Sequence, residues 1–142
     1  SGAVLAAAEK MGGTSWLVEE MATDTVAELL IGVTRDAAHG LLLTLGAGGV
    51  LTELLQDTVS MLLPVTEHDI KQALTQLKCA PLLAGYRGKP AANLDAILKA
   101  VLAVQDYVVA QAPLIGEVEV NPLLCTPTRA VAVDALIRKA SS

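Results

Sequence analysis

The sequence has no phenylalanine, one tryptophan and two tyrosines, so aromatic residues make up only 2% of it. A protein that stacks on bases needs aromatic platforms, and this chain has almost none. Charge points the same way. Ten lysines and arginines, scattered along the chain, stand against fifteen acids, for a net charge of −5. A duplex-binding face needs a basic patch, so nucleic acid is not an expected partner. Nor is a membrane. The longest apolar run, LLLTLGAGGVL, is broken by glycines and falls short of the roughly 18 residues a span requires. The opening SGAVLAAAEKMGG has no basic stretch ahead of its apolar part, so it does not read as a secretory signal. It also lacks an initiator methionine, as a processed chain or a piece of a longer one would. Cysteine is scarce. Cys79 and Cys125 lie far apart without CxxC context, the pattern of a reduced pair in a cytoplasmic protein. A thiolate metal site needs more ligands at closer spacing.

What is present is aliphatic. Hydrophobic residues make up 53% of the 142, so the core is expected to be Leu, Val, Ile and Ala within one domain spanning 1–142. Residues 3–10 read as the end of a helix stopped by Gly12 and Gly13. Strands are expected at SWLVEEM, at TVAELLIGVTRD, at GLLLTLG, and at VLTELL and TVSMLLP. Short strands with tight turns argue for a largely antiparallel sheet. A helix opens at Thr66, where Thr66-x-x-Asp69 has the form of a capping box, and Ile70, Leu74 and Leu77 recur at helical spacing. The segment CAPLLAGYRGKPAAN reads as a loop. A second helix, capped by Asn93, places Leu94, Ile97, Leu98, Val101, Leu102, Gln105 and Val108 on one face and ends near Ala112-Pro113. A hairpin closes the chain. The expected class is α+β, with the helices packed on one face of the sheet.

Polar residues in that hairpin carry the candidate chemistry. In EVEVNP the alternation puts Glu117, Glu119 and Asn121 on one face of a strand. In the returning strand Val131 and Val133 are expected to face the core, with Ala130, Ala132 and Asp134 opposite. Pairing then sets Asp134 beside Glu119 and Asn121. Carboxylates and an amide suit a hard ion such as Mg²⁺, which keeps waters and needs few protein ligands; a solvated sheet face with ordinary acids accounts for the same spacing. The glycine cluster LGAGGV follows a strand and is either a tight turn or a cradle of backbone N–H groups for a phosphate. It is neither GxGxxG nor a Walker A loop. His39 and His68 are isolated. Arg87, in GYRG, is placed to meet an anion or is an ordinary surface arginine.

Taken in order, LVEEM, AELLIGVTRDAAHG, LTLGAGGVLTELLQD, LLPVT, APLLAGYRGKP, EVEVNPLL and AVAVDA resemble the second half of the ATP-grasp module of ADP-forming acyl-CoA synthetases, relatives of the succinyl-CoA synthetase β subunit. The resemblance runs from about residue 15 to 138. It implies a nucleotide held between two α+β subdomains, phosphate passed through a histidine elsewhere in the enzyme, and capture of the acyl phosphate by CoA. By position it implies Asn121 and Asp134 as Mg²⁺ ligands, and Glu119 orienting the transferring group. Arg87 matches a characteristic loop and joins Glu119 as a catalytic candidate. Glu19, Glu20 and Met21 match the hinge beside the adenine, while Glu28, Gly46, Gly48 and Gly49 match positions lining the ATP/ADP cleft.

The departures are informative. His39 stands where the family usually has Phe, so it is not the phosphate-carrying histidine. The first ATP-grasp subdomain, with its nucleotide-binding lysine, and the CoA-binding and ligase domains have no counterpart here. The chain is thus expected to be a fragment, inactive alone, whose partners are nucleotide and the remaining domains of the same enzyme. A homodimer through an exposed apolar face is a further expectation. The rival readings are the ATP-grasp-like region of a fused protein acetyltransferase and a non-catalytic interaction domain.

Overall fold

The structure is a computed structural model and describes residues 24–140. The helix expected at 3–10 and the strand expected at SWLVEEM, with Glu19, Glu20 and Met21, lie outside the described residues.

Strand β1 (Ala27–Asp36) turns into β2 (Gly40–Ala47). The turn closes because the Asp36 carboxylate accepts from the N–H groups of Ala38, at 2.7 Å, and His39, at 3.2 Å, the local bonding that makes Asp a turn residue. A 3₁₀ turn (Gly49–Leu51) runs into the single helical turn α1 (Thr52–Leu55), and β3 (Thr58–Leu62) follows. Helices α2 (Glu67–Thr75), α3 (Ala80–Ala84) and α4 (Leu94–Gln111) form the second layer. The chain ends in β4 (Ile115–Cys125), β5 (Ala130–Ala132) and β6 (Ala135–Lys139). The sheet runs β3-β2-β1-β4-β5 with every pairing antiparallel, and β6 also pairs with β4.

Both main helices start where the capping residues require. The Asp69 N–H donates to Thr66 Oγ1, and the Asp69 carboxylate accepts from the Thr66 N–H. Asn93 accepts from the Ala96 N–H at 2.9 Å. One face of α4, led by Ile97, Leu98, Val101, Val104 and Val108, packs on Leu29, Ile31, Val33, Leu43, Leu45, Val118 and Val120 of the sheet. Leu94, expected on that face, is 41% exposed. The polar interruption at Gln105 is buried, and its amide accepts from Val65 N–H at 2.7 Å and donates to Val65 C=O at 3.2 Å. It satisfies both backbone groups of the residue that leads into α2.

Three expectations are corrected. VLTELL is not a strand. Its apolar residues Val50 (97%) and Leu54 (78%) are exposed, and the Thr52 hydroxyl donates to Gly49 C=O, bonding that closes a helical turn instead. Within CAPLLAGYRGKPAAN, residues 80–84 form α3, with Pro81 in its first turn, where a missing N–H costs nothing. In the final hairpin the faces are reversed. Ala132 and Ala130 sit opposite the buried Leu123 and Cys125 on the helix side, and Val131 is opposite Leu124 on the other. The small alanines thus pack into the core cluster beneath the helices. Beyond the hairpin the chain also continues into an unanticipated strand, β6, whose Leu136 and Ile137 are 44% and 38% exposed and so leave no clean alternation.

Candidate functional site

The face of the sheet away from the helices presents Glu28, Leu30, Gly32 and Thr34 from β1, Thr44 from β2, and Glu117 and Glu119 from β4, since these alternate with the core positions. Two irregularities concentrate the candidates at one end of it. The pairing of β1 with β4 shifts between Leu29 and Ile31, opposite Asn121 and Pro122. On the other side of β4, β5 hands over to β6 at the same level. Val133 N–H donates to Pro122 C=O and Asn121 N–H donates to Asp134 C=O, each at 3.1 Å. Asp134 is therefore in the gap between two short strands rather than on one, exposed, and beside Asn121 through the backbone.

The glycine-rich turn closes over this point. Gly48 N–H donates to Glu28 C=O at 2.8 Å, and Gly49 N–H donates to Asn121 Oδ1 at 2.8 Å. Glycine is required twice. A Cβ on Gly48 would lie 2.5 Å from the Leu29 carbonyl oxygen, and Gly49 has φ +78°, with a Cβ there 2.9 Å from Glu28 Oε1. The structure thus brings Glu28, Gly48, Gly49 and Asn121 together, with Asp134 adjacent and Gly46 at the end of β2. Glu119 is half-buried two residues from Asn121, between Gly32 and Leu136 in register.

Arg87 is not joined to this group. It occupies an exposed turn closed by reciprocal backbone bonds between Tyr86 and Lys89, with φ +49°, and its guanidinium lies 5.4 Å from the centre of the Tyr86 ring. His39 is also apart, at the tip of the β1–β2 hairpin, 3.4 Å from Asp36. That contact and the Ala38 N–H hold the Asp36 carboxyl below its ordinary value, the Ala38 bond being the stronger cause.

Oxygen donors are the chemistry on offer. Asn121 Oδ1 spends one acceptor site on Gly49 and keeps a second lone pair. The Asp134 carboxylate takes no hydrogen bond from the described residues, so its oxygens are available. Among the described residues no three His, Cys, Asp or Glu side chains gather closely enough to hold an ion alone. The set fits a hard ion that completes its shell with water and phosphate oxygens, and does not fit a closed protein cage. The thiols are unsuited to ligation or attack. Burial, aided by the charge of Asp57, pushes Cys79 up to about 11, and burial pushes Cys125 up to about 12. Both are thiols, not thiolates, near neutral pH.

Two residues of this region went unrecognised in the sequence. Thr52 closes the glycine-rich turn through its hydroxyl. Asp57 is buried beneath that turn; its only sequence signal is an acid ending the run LTELLQD. No helix among the described residues is long and apolar enough to cross a membrane.

The family model of the ATP-grasp domain matches residues 3–138. The β subunit of ADP-forming acetate–CoA ligase II from Pyrococcus furiosus is 37% identical over 112 residues, covering 78% of this chain and 48% of that subunit. The β subunit of ligase I from the same organism is 32% identical over 108 residues, 76% of this chain and 46% of the subunit. The dinucleotide-forming acetyl-coenzyme A synthetase 1 of Ca. Korarchaeum cryptofilum, solved with coenzyme A and Mg-AMPPCP, superposes with a TM-score of 0.76 at 32% identity, covering 80% of this chain and 53% of that one. The chain therefore spans about half the length of these relatives.

Proposed function

The chain belongs to the ATP-grasp family, and from that premise we propose that it is the second nucleotide-binding half of an ADP-forming acyl-CoA synthetase. The reaction of the parent is acyl-CoA + ADP + phosphate ⇌ carboxylate + ATP + CoA. The observation that carries this reading is the joint at Asn121: its amide oxygen fixes the glycine-rich turn at 2.8 Å and retains a lone pair, while its backbone N–H donates to the backbone carbonyl of Asp134.

In this reading Asn121 and Asp134 hold Mg²⁺, which when bound neutralises charge on the nucleotide phosphates. The protein's own residues do the positioning. The turn at Gly46, Gly48 and Gly49 sets the floor of the phosphate end, and Glu28 forms its wall. Glu119, on the same open face, orients the transferring group. Glu19, Glu20 and Met21 border the adenine. Arg87 takes part only if a neighbouring domain carries the substrate to its turn.

The partners are nucleotide and the rest of the parent enzyme in the cytoplasm. The open face, where Leu62 and Leu136 are 50% and 44% exposed, is where the missing half or a second copy packs. Half a clamp cannot close over a nucleotide and exclude water, so the chain alone is inactive.

The test follows ADP formation from ATP by the intact parent, with CoA and a panel of short carboxylic acids. The expected result is turnover that needs both CoA and an acid. Absence of ADP with every acid would overturn the reading and leave a binding domain.

A further inference from the structure

Asp57 is the one buried acid among the described residues, 5% exposed, and the proposed chemistry makes no use of it. Its carboxylate accepts from the backbone N–H of Lys78 at 2.6 Å and of Cys79 at 2.8 Å. Its own carbonyl accepts from Ala47 N–H at 2.9 Å. The fit around that carbonyl is close: a Cβ on Gly46 would come within 2.5 Å of it. One residue thus grips the end of β2 through its backbone and the entry to α3 through its side chain.

Between the Ala47–Asp57 bond lies the whole glycine-rich turn with α1. That excursion has little packing of its own. α1 buries no residue, and Val50, Leu54 and Leu55 are 97%, 78% and 44% exposed. Its other anchors are Glu28 C=O and the Asn121 side chain, whose Oδ1 accepts from Gly49 and whose Nδ2 lies 3.5 Å from Thr52 Oγ1. A buried carboxylate is a poor way to gain stability alone, because an apolar residue of like volume avoids the desolvation cost. What two charge-assisted bonds at fixed geometry supply is orientation.

We infer that Asp57 is a positioning residue that holds the glycine-rich turn against the helical layer. The same carboxylate ties the turn to the segment leading through α3 to Arg87, so two sequence motifs separated by about one layer of the fold share one anchor. The relevance to catalysis rests on the nucleotide reading above; the positioning does not.

The test is amide hydrogen exchange on this chain, comparing wild type, Asp57→Asn and Ile97→Ala. Asn keeps the volume but replaces one of the two accepting oxygens with an NH2 donor, which faces one of the two N–H groups unfavourably. Ile97→Ala removes core packing and serves as the globally destabilised control. The expected result is exchange at Ala47, Gly48, Gly49, Lys78 and Cys79 that rises about tenfold more in Asp57→Asn than exchange at Val33 and Val118, whereas Ile97→Ala raises all alike. Uniform acceleration in Asp57→Asn, unchanged turn amides, or failure of Asp57→Asn to fold would each overturn the inference. In the intact parent, Asp57→Asn is expected to raise the nucleotide KM about tenfold with kcat within about twofold. If the wild-type parent turns over no nucleotide, the exchange result alone decides the role of Asp57.

Discussion

The two faces of the sheet are built from the same strands and solve opposite problems. On the covered face Leu29, Ile31, Val33, Val118 and Val120 meet α4 with almost no water, and their work is burial. On the open face Glu28, Gly32, Glu119 and Asn121 stand at the alternate positions. There the acids, the amide and the glycine stand among leucines such as Leu30 and Leu124, and the shift in the β1–β4 register falls beside Asn121. The lesson is that packing is nearly continuous on one side and reserved on the other, so substitutions on the two faces should fail in different ways.

The comparison breaks most sharply with Asp134→Ala or Asn121→Ala in the intact parent. Loss of an ion ligand should lower kcat/KM for ATP by about a hundredfold or more, while the urea midpoint of Asp134→Ala barely moves. An Asp134→Ala enzyme with full activity would make the open face an ordinary solvated surface. On the covered face Ile97→Ala should lower unfolding free energy by about 3–4 kcal/mol, read from urea denaturation of this chain. Gln105→Ala tests a buried polar link in that layer. It strands the N–H and C=O of Val65, and an orphaned buried pair costs about 1–3 kcal/mol, again in urea. Asn93→Ala removes the cap of α4 for about 1 kcal/mol, measured the same way.

The smallest effect is titration of Asp36. Its folded pKa lies below the ordinary 3.8, so its stabilisation is complete above that value and is lost as pH falls through the lowered one. The stability of Asp36→Asn should therefore lie slightly below wild type above about pH 5 and converge with it as pH falls below about 4. The group is fully exposed, so no shift in the neutral range is expected.

How far the sequence disclosed these faces depends on which physical signal each residue carries. α4 was legible because its caps and apolar stripe agree, and the capping box at Thr66 spoke for itself. The β1–β2 hairpin was legible from its alternation and from Asp36. Strand polarity near the end was not. Ala130 and Ala132 look like residues making room over a site, and Val131 and Val133 look like core, yet the alanines are the ones registered against the buried Leu123 and Cys125. VLTELL has the composition of a strand, and nothing local announces that Val50 and Leu54 stay in water. At the site, Asn121 and the glycines stood out through spacing, and the structure brings them into contact. The bond between them could not be read, because it joins residues 72 positions apart. Asp57 escaped for the same reason, as an acid at the end of an apolar run says nothing of partners on another layer.

β4 is bordered by three strands, β1 along one edge and β5 and β6 along the other. It is also far from β1 in sequence, with both main helices between them. Ala27 is registered against Cys125 and Glu28 against Leu124, so β1 acquires its inner neighbour only after the helices between them have been synthesised. Pairings of such long sequence separation form late and slowly. During synthesis the hairpin and α2 must wait with an unpaired edge at β1, and the turn at Gly49 has no amide oxygen to receive it. The place where the two faces of the sheet part company is thus also where its most distant segments must meet.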